Sequence, residues 1–310
     1  MEKLISLAAY AIKVWSREDR ECETISSFGD DHDLLDFFQS FLAGLEKKTS
    51  HNKDFQQVLR VKRLKKEGRR IYGIIETGDY GQESVLFDVE TEKIAYERKI
   101  TEANMLPFYF LVDLPEETDE GIILLQRLGM FGIRKMLYHV LSQKFAEKFE
   151  DFRLDLHTLV DADEIAKYQK GKIESIRFIS FNIPSDVTDC FDSGHTEKIG
   201  HAELVIRARR GSFLPLTSRL RKFFAGGQDL PKLIALDETN FKYQDIKVRS
   251  RVGRTSRTVD LGNLNRLRSY HDITDEVELD KSGHPKFTSI HGLADNMVAR
   301  IRSNLGLDNG

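Results

Sequence analysis

Pro107-Phe-Tyr-Phe-Leu-Val-Asp-Leu114 is the run that decides the fold. It is apolar at odd and even positions alike, with Asp113 the one charged residue, and Pro115 closes it. So short a run, apolar on both alternating sides, reads as a strand buried on both faces at the centre of a sheet. The proline ends it because it cannot donate to a strand ladder.

Working upstream, Val58–Lys65 alternates, and Arg70-Ile-Tyr-Gly-Ile-Ile-Glu76 continues as strand. Gly78-Asp-Tyr-Gly81 is a turn, followed by the strand Glu83–Val89, the turn Glu90-Thr-Glu92 and the strand Lys93–Lys99. These predict an antiparallel meander over residues 56–114. At the start of the chain, Leu4–Trp15 reads as another aliphatic strand. Asp33 is placed to cap a helix carrying Leu34, Phe38, Phe41, Leu42 and Leu45 at helical spacing, with Lys47 and Lys48 at its C-terminal end.

Downstream, Ile122–Leu125 reads as a short strand or a buried helical turn. Ile133, Met136, Leu137, Val140, Leu141, Phe145 and Phe149 then mark a helix. Strands follow at Phe152–Leu159 and Ile173–Ile183, with a short helix at 162–169 between them. The distal part predicts strands at Ala202–Arg209, Leu233–Leu236 and Phe241–Val252. It also predicts helices at Pro215–Phe224 and Gly262–Arg268, a weak alternation over Tyr270–Leu279 and a terminal helix at Leu293–Leu305. The whole is an α+β protein, an antiparallel β-meander with packed helices followed by a second mixed part with a basic surface. A boundary near residue 186 gives an acidic body at 1–185 and a basic α+β domain at 186–310.

Charge supports that division. The 310 residues carry a formal charge of only −3, yet Leu204–Tyr270 alone carries +10, against −10 for residues 1–203 and −3 for residues 271–310. Within it, Lys247-Val-Arg-Ser-Arg-Val-Gly-Arg-Thr-Ser-Arg257 has five cations and no acid. On a strand, Lys247, Arg249 and Arg251 share one face while Val248, Ser250 and Val252 take the other. Same-face neighbours then stand about 6.6 Å apart, near the ~7 Å expected along an extended nucleic-acid backbone. Arg207, Arg209 and Arg210 end one strand, Arg219, Arg221 and Lys222 lie on the next helix, and Arg254 and Arg257 extend the central run. Arginine suits phosphate because its planar fork donates two parallel hydrogen bonds. Ser250, Thr255, Ser256 and Thr258 add hydroxyl donors. These eleven cations are the candidate nucleic-acid site, for DNA or RNA. The competing occupant is acidic protein: the acidic body itself, a protein partner, or a second copy.

Four smaller patterns compete with this site. Gly129-Met-Phe-Gly132 resembles the GxxG turn of KH domains, which joins two helices and clamps phosphates. Arg134 to His139, and Arg266 to His271, resemble the Arg-x4-His spacing of HEPN ribonucleases, an all-helical family. Asp237 with Asp245-Ile-Lys247 echoes the acidic and lysine core of metal-dependent nucleases, the alternative enzymatic reading. Cys190, His195 and His201 are close in sequence but match no zinc spacing. No Walker loop, dinucleotide fingerprint or nucleophile elbow occurs, so no catalytic residue, metal or cofactor is assigned. No apolar run approaches the ~20 residues of a membrane helix. The N-terminus reads as a strand rather than a signal peptide, and the two cysteines, Cys22 and Cys190, stand apart, which points to a reducing cytoplasm.

The block Pro107–Pro115 with Glu120–Arg134, together with Tyr270–Asp280, resembles uncharacterised bacterial proteins found beside anti-phage defence and mobile-element genes. The resemblance covers about a third of the chain and brings no catalytic motif. It implies a bacterial, cytoplasmic component of such a system that works with a partner.

Overall fold

A computed structural model describes residues 4–159, 171–180, 202–214, 245–252, 255–260 and 270–307. Its strands are mostly antiparallel, and with three described helices it is an α+β fold with a β-meander. The chain divides into two compact units, Met1–Leu159 with Tyr270–Gly310, and Val160–Ser269.

The first unit is built on one large sheet. Its strands are β1 (Ile5–Ser16), β2 (Cys22–Glu23), β3 (Ser50–Asn52), β4 (Gln57–Glu67), β5 (Arg70–Asp79), β8 (Leu106–Asp113), β9 (Gly121–Leu128), β10 (Phe131–Gly132), β11 (Phe152–Thr158) and β16 (Tyr270–Asp272). The order is β11-β1-β9-β8-β5-β4-β3, with β2 and β16 also on β1 and β10 on β9. The deciding run is β8, and Phe108 through Val112 are all essentially buried. Tyr109 and Leu111 face one side and Phe108 and Phe110 the other, so both faces are covered. β6 (Ser84–Asp88) and β7 (Lys93–Arg98) form a separate two-stranded sheet. The meander therefore passes from β5 directly to β8, in the register Ile71↔Val112 and Ile75↔Phe108.

Three helices pack on this sheet. Helix α1 (Leu34–Lys47) begins where the sequence places it, because the Asp33 carboxylate accepts from the Leu35 N–H at 2.8 Å. The same carboxylate takes both Nη atoms of Arg69, at 2.8 and 2.9 Å. α2 (Arg134–Lys148) meets α1 through Phe37 and Phe145, whose rings are edge-on at 5.2 Å. α3 (Phe287–Leu305) sits on β5 and β8: His291 stacks on Tyr72 at 4.1 Å and its Nδ1 is 2.8 Å from the Tyr109 hydroxyl. The sequence reading starts this helix six residues late. Phe287 and Ile290 belong to the same apolar stripe as Ala294, Met297, Val298 and Ile301.

The division between units differs from the boundary expected near residue 186. The residues from Tyr270 onward return to the first unit, where β16 pairs with β1 (Ser6↔Asp272, Ala8↔Tyr270) and α3 fills the core. Charge changes sign along the chain where surface chemistry changes, and that need not coincide with the path of the backbone.

Close approach of the backbone requires a glycine at position 73. β4 carries a bulge between Val61 and Arg63, and a Cβ at Gly73 would collide with the Arg63 carbonyl. The bulge residue, Lys62, reaches Glu76 at 2.7 Å, and Arg60 binds the other carboxylate oxygen at 2.6 Å. Burial pushes the Glu76 carboxyl up, but the hydrogen bonds and charges of Lys62 and Arg60 outweigh it and hold the group below the usual glutamate range. A carboxyl depressed in the folded state contributes stability above its unfolded pKa, and that contribution is lost as pH falls through the folded value. Glu76→Gln should therefore flatten the acid limb of a stability–pH curve below about pH 4.3. A limb of unchanged steepness would contradict this assignment.

A candidate polyanion-binding face

The second unit contains a four-stranded antiparallel sheet in the order β13-β12-β14-β15. Its strands are β12 (Lys172–Ser180), β13 (Ala202–Arg207), β14 (Asp245–Val252) and β15 (Thr255–Asp260). β14 alternates as its sequence requires. Ile246, Val248 and Ser250 are buried at 0%, 0% and 1% exposure, while Arg249 and Arg251 are exposed and Lys247 is half-buried. The three cations share one face because the apolar positions between them are taken by the core of this sheet. Ser250 lies on the buried side, so it does not serve the basic face.

Cross-strand register builds the face outward from β14. Arg249 lies opposite Ser175, which lies opposite Arg207 on β13, and Thr258 flanks Arg249 on β15. One step along, Arg177 lies opposite Lys247. Neighbouring strands stand about 4.8 Å apart, so these side chains form a compact lattice. Together Arg177, Arg207, Lys247 and Arg249, with Ser175 and Thr258, line a depression of about 330 Å³. Arg207 makes no ion pair among the described residues, and Arg177 lies 3.4 Å from Glu203.

One acid intrudes. β12 has a bulge between Ile173 and Ser175, and Glu174 is its extra residue. A bulge re-aims side chains, and Glu174 binds Arg249 Nε at 3.0 Å and Arg251 Nη2 at 2.5 Å. Against the cost of desolvation, hydrogen bonds from Ser256 and Arg249 and the charges of Arg251 and Arg249 hold its carboxyl below the usual range. It is therefore ionised at neutral pH. Beside it, Phe213 offers a half-exposed ring, with the Lys172 ammonium at 5.1 Å and the Arg251 guanidinium at 5.8 Å from its centroid.

Of the sequence-predicted residues, Arg207, Lys247 and Arg249 meet in the depression and Arg251 adjoins it through Glu174. Arg209 and Arg210 are exposed in the turn after β13, at Gly211. Arg257 is opposite Ser250 in backbone register, out of step with Arg249 and Arg251. Arg219, Arg221, Lys222 and Arg254 lie outside the described residues, as do Cys190, His195, His201, Asp237 and Arg266. Arg177, Glu174 and Phe213 were missed. Arg177 sits in an alternating segment, Ile176-Arg-Phe-Ile179, but only the β12–β14 pairing brings it beside Lys247.

The smaller patterns take other roles. Gly129, at φ +59°, turns β9 into β10, so Gly129–Gly132 joins two strands rather than two helices. Five residues along a helix is about 140° of rotation, and Arg134 and His139 diverge accordingly. Arg134 lies over the Tyr10 ring, whereas His139 packs on Phe55. His271 is on a strand, β16. Among the described residues no three His, Cys, Asp or Glu side chains gather where they could hold a metal, and no helix is long and apolar enough to cross a membrane. No known protein family and no curated protein matches this chain.

Proposed function

We propose that the open face of the β13-β12-β14-β15 sheet binds nucleic acid through its phosphates. The observation that carries this reading is the meeting of Arg177, Arg207, Lys247 and Arg249, from three strands, around one depression that also offers two hydroxyls. Cations on fixed strands need no backbone ordering on binding, and arginine forks match phosphate oxygens. Such contacts give affinity without sequence preference. Phe213 supplies a stacking surface beside the cations, as single-strand binders use. A role as one component of a bacterial defence or mobile-element system accords with the resemblance carried by Pro107–Pro115, Glu120–Arg134 and Tyr270–Asp280.

Glu174 acts on this site as a resident competitor. A phosphate that engages Arg249 Nε or Arg251 Nη2 must displace its carboxylate, and one on the remaining N–H groups meets its charge. Glu174→Gln keeps the side-chain shape and removes the charge, so it should tighten binding several-fold at low salt and lose that advantage as salt rises. Fluorescence anisotropy with labelled single- and double-stranded DNA and RNA checks both points. Weaker binding by the variant would contradict the proposal. Stoichiometric capture of an acidic protein, with no affinity for any of the four oligomers, would replace nucleic acid as the ligand.

A further inference from the structure

Between β5 and β8 the chain leaves the large sheet to form the β6–β7 hairpin, and this hairpin keeps its apolar side chains in water. Val85, Leu86 and Phe87 are each 55% exposed, Ile94 56% and Val89 83%. An isolated two-stranded hairpin is marginal in water. Apolar side chains clustered in water in this way mark an interaction surface, unlike hydrophobic residues scattered singly.

The two edges of the hairpin differ. β7 is bulged, since Leu86 pairs with Tyr96 and Phe87 with Ile94, leaving Ala95 as the extra residue. It also carries Lys93, Glu97 and Arg98. A bulge and charges of this kind blunt an edge against pairing. β6, Ser84-Val-Leu-Phe-Asp88, has no bulge residue, no lysine and no proline, and its outer edge makes no backbone hydrogen bond among the described residues.

We propose that β6 is a dimerisation strand, pairing antiparallel with β6 of a second copy of this chain about a two-fold axis at Leu86. When two identical strands pair this way, a residue whose N–H and C=O face the partner can only meet a residue that does the same. Those residues have the same parity, so the axis must fall on a residue. Full overlap of the five-residue strand puts it on Leu86. Leu86 then meets Leu86 of the second copy, Val85 meets Phe87, and Ser84 meets Asp88. The β-branched-to-aromatic pair occurs twice and is a stabilising cross-strand contact. No like charges face each other, and the edge-to-edge union gives four continuous strands with an apolar centre. Pairing along a five-residue strand is a short contact beside the roughly 800 Å² that each side of a standard interface buries, which fits a reversible dimer rather than an obligate one. Residues 81–100 carry five acids against three cations. That charge disfavours an anionic lipid surface as the occupant instead.

The test is the mass of the full-length protein by sedimentation over a concentration series, after nuclease treatment and in moderate salt so that bridging by nucleic acid is removed. The mass should rise toward twice that of the chain. Leu86→Lys, which sets two ammonium groups against each other on the axis, and Phe87→Asp should each raise the dissociation constant tenfold or more. Both positions are exposed, so folding is unaffected. Leu86→Cys adds a test of register. Directly opposed residues have Cα atoms about 4.5–5.5 Å apart, within the roughly 4.4–6.8 Å a disulfide spans. Mild oxidation should link two copies of this variant above the background set by the two native cysteines, and should not link Val89→Cys. Three results would overturn the proposal. These are a monomer at every concentration, whether or not it floats with vesicles or binds another protein; a dimer indifferent to both charged variants; and cross-linking at position 89 but not at 86.

Discussion

Replacing Arg177, Arg207 and Arg249 together by glutamate should lower affinity for a nucleic-acid oligomer by about 100- to 1,000-fold at low salt, and should reduce the salt dependence by about one unit of slope per lost contact. The size of the effect follows from the geometry. The three side chains come from three strands but line one depression, so a phosphate chain crossing the sheet meets all of them. Reversal also leaves Lys247 beside acids, where it neutralises protein rather than ligand. All three positions are at the surface of a sheet whose core is Phe178, Ile246 and Val248, so secondary structure should be retained, as far-UV circular dichroism would report. Arg209 and Arg210, on the turn beyond β13, provide a comparison of two charges away from the depression. Reversing that pair should have a clearly smaller effect per charge. Equal losses per reversed charge from the two sets would mean that net charge, not the assembled face, determines binding.

The second large effect lies in the first unit. Asp113, the one acid in the deciding strand, is 1% exposed and holds Arg70 at 2.8 Å and Arg302 at 3.5 Å. It thereby joins β8 to β5 and to α3. Asp113→Ala should cost about 3–5 kcal/mol, because removing one member of a buried pair strands the other charge rather than merely deleting a contact. Arg70 keeps Asp295 at 2.6 Å and Arg302 keeps the Leu307 carbonyl, which places the expected loss toward the lower end. Asp113→Asn, which retains an acceptor of the same shape, should cost less. Trp15 is the only tryptophan and lies on β1, so its fluorescence in a urea titration reports the first unit by itself. A loss below about 1 kcal/mol, the scale of an exposed pair, would contradict this role.

What the sequence made legible was local. β8 could be read because a strand buried on both faces needs apolar residues at every position. α1 could be read because its cap, Asp33, is next to the stripe it starts. β14 showed its two faces by alternation alone. What stayed hidden depends on partners distant in the chain. The start of α3 is set by Tyr72 and Tyr109, some two hundred residues earlier. β15 is rich in hydroxyls and has no apolar alternation, so only its pairing with β14 makes it a strand. The hairpin β6–β7 reads like any other part of the meander, and nothing local reveals that β5 pairs with β8 instead. At the candidate site, charge density identified β14, whereas Arg177 and Glu174 depended on the register and the bulge of β12.

The most direct measurement of the central claim is affinity for a short oligomer across a salt series. Phosphate binding by Arg177, Arg207, Lys247 and Arg249 predicts a straight line of log K against log salt with a slope of about −3 to −4, near 0.9 per contact on duplex DNA or 0.7 on a single strand. The line should flatten toward zero in the triple glutamate variant. Affinity that is indifferent to salt, or a slope that survives the triple reversal, would contradict it.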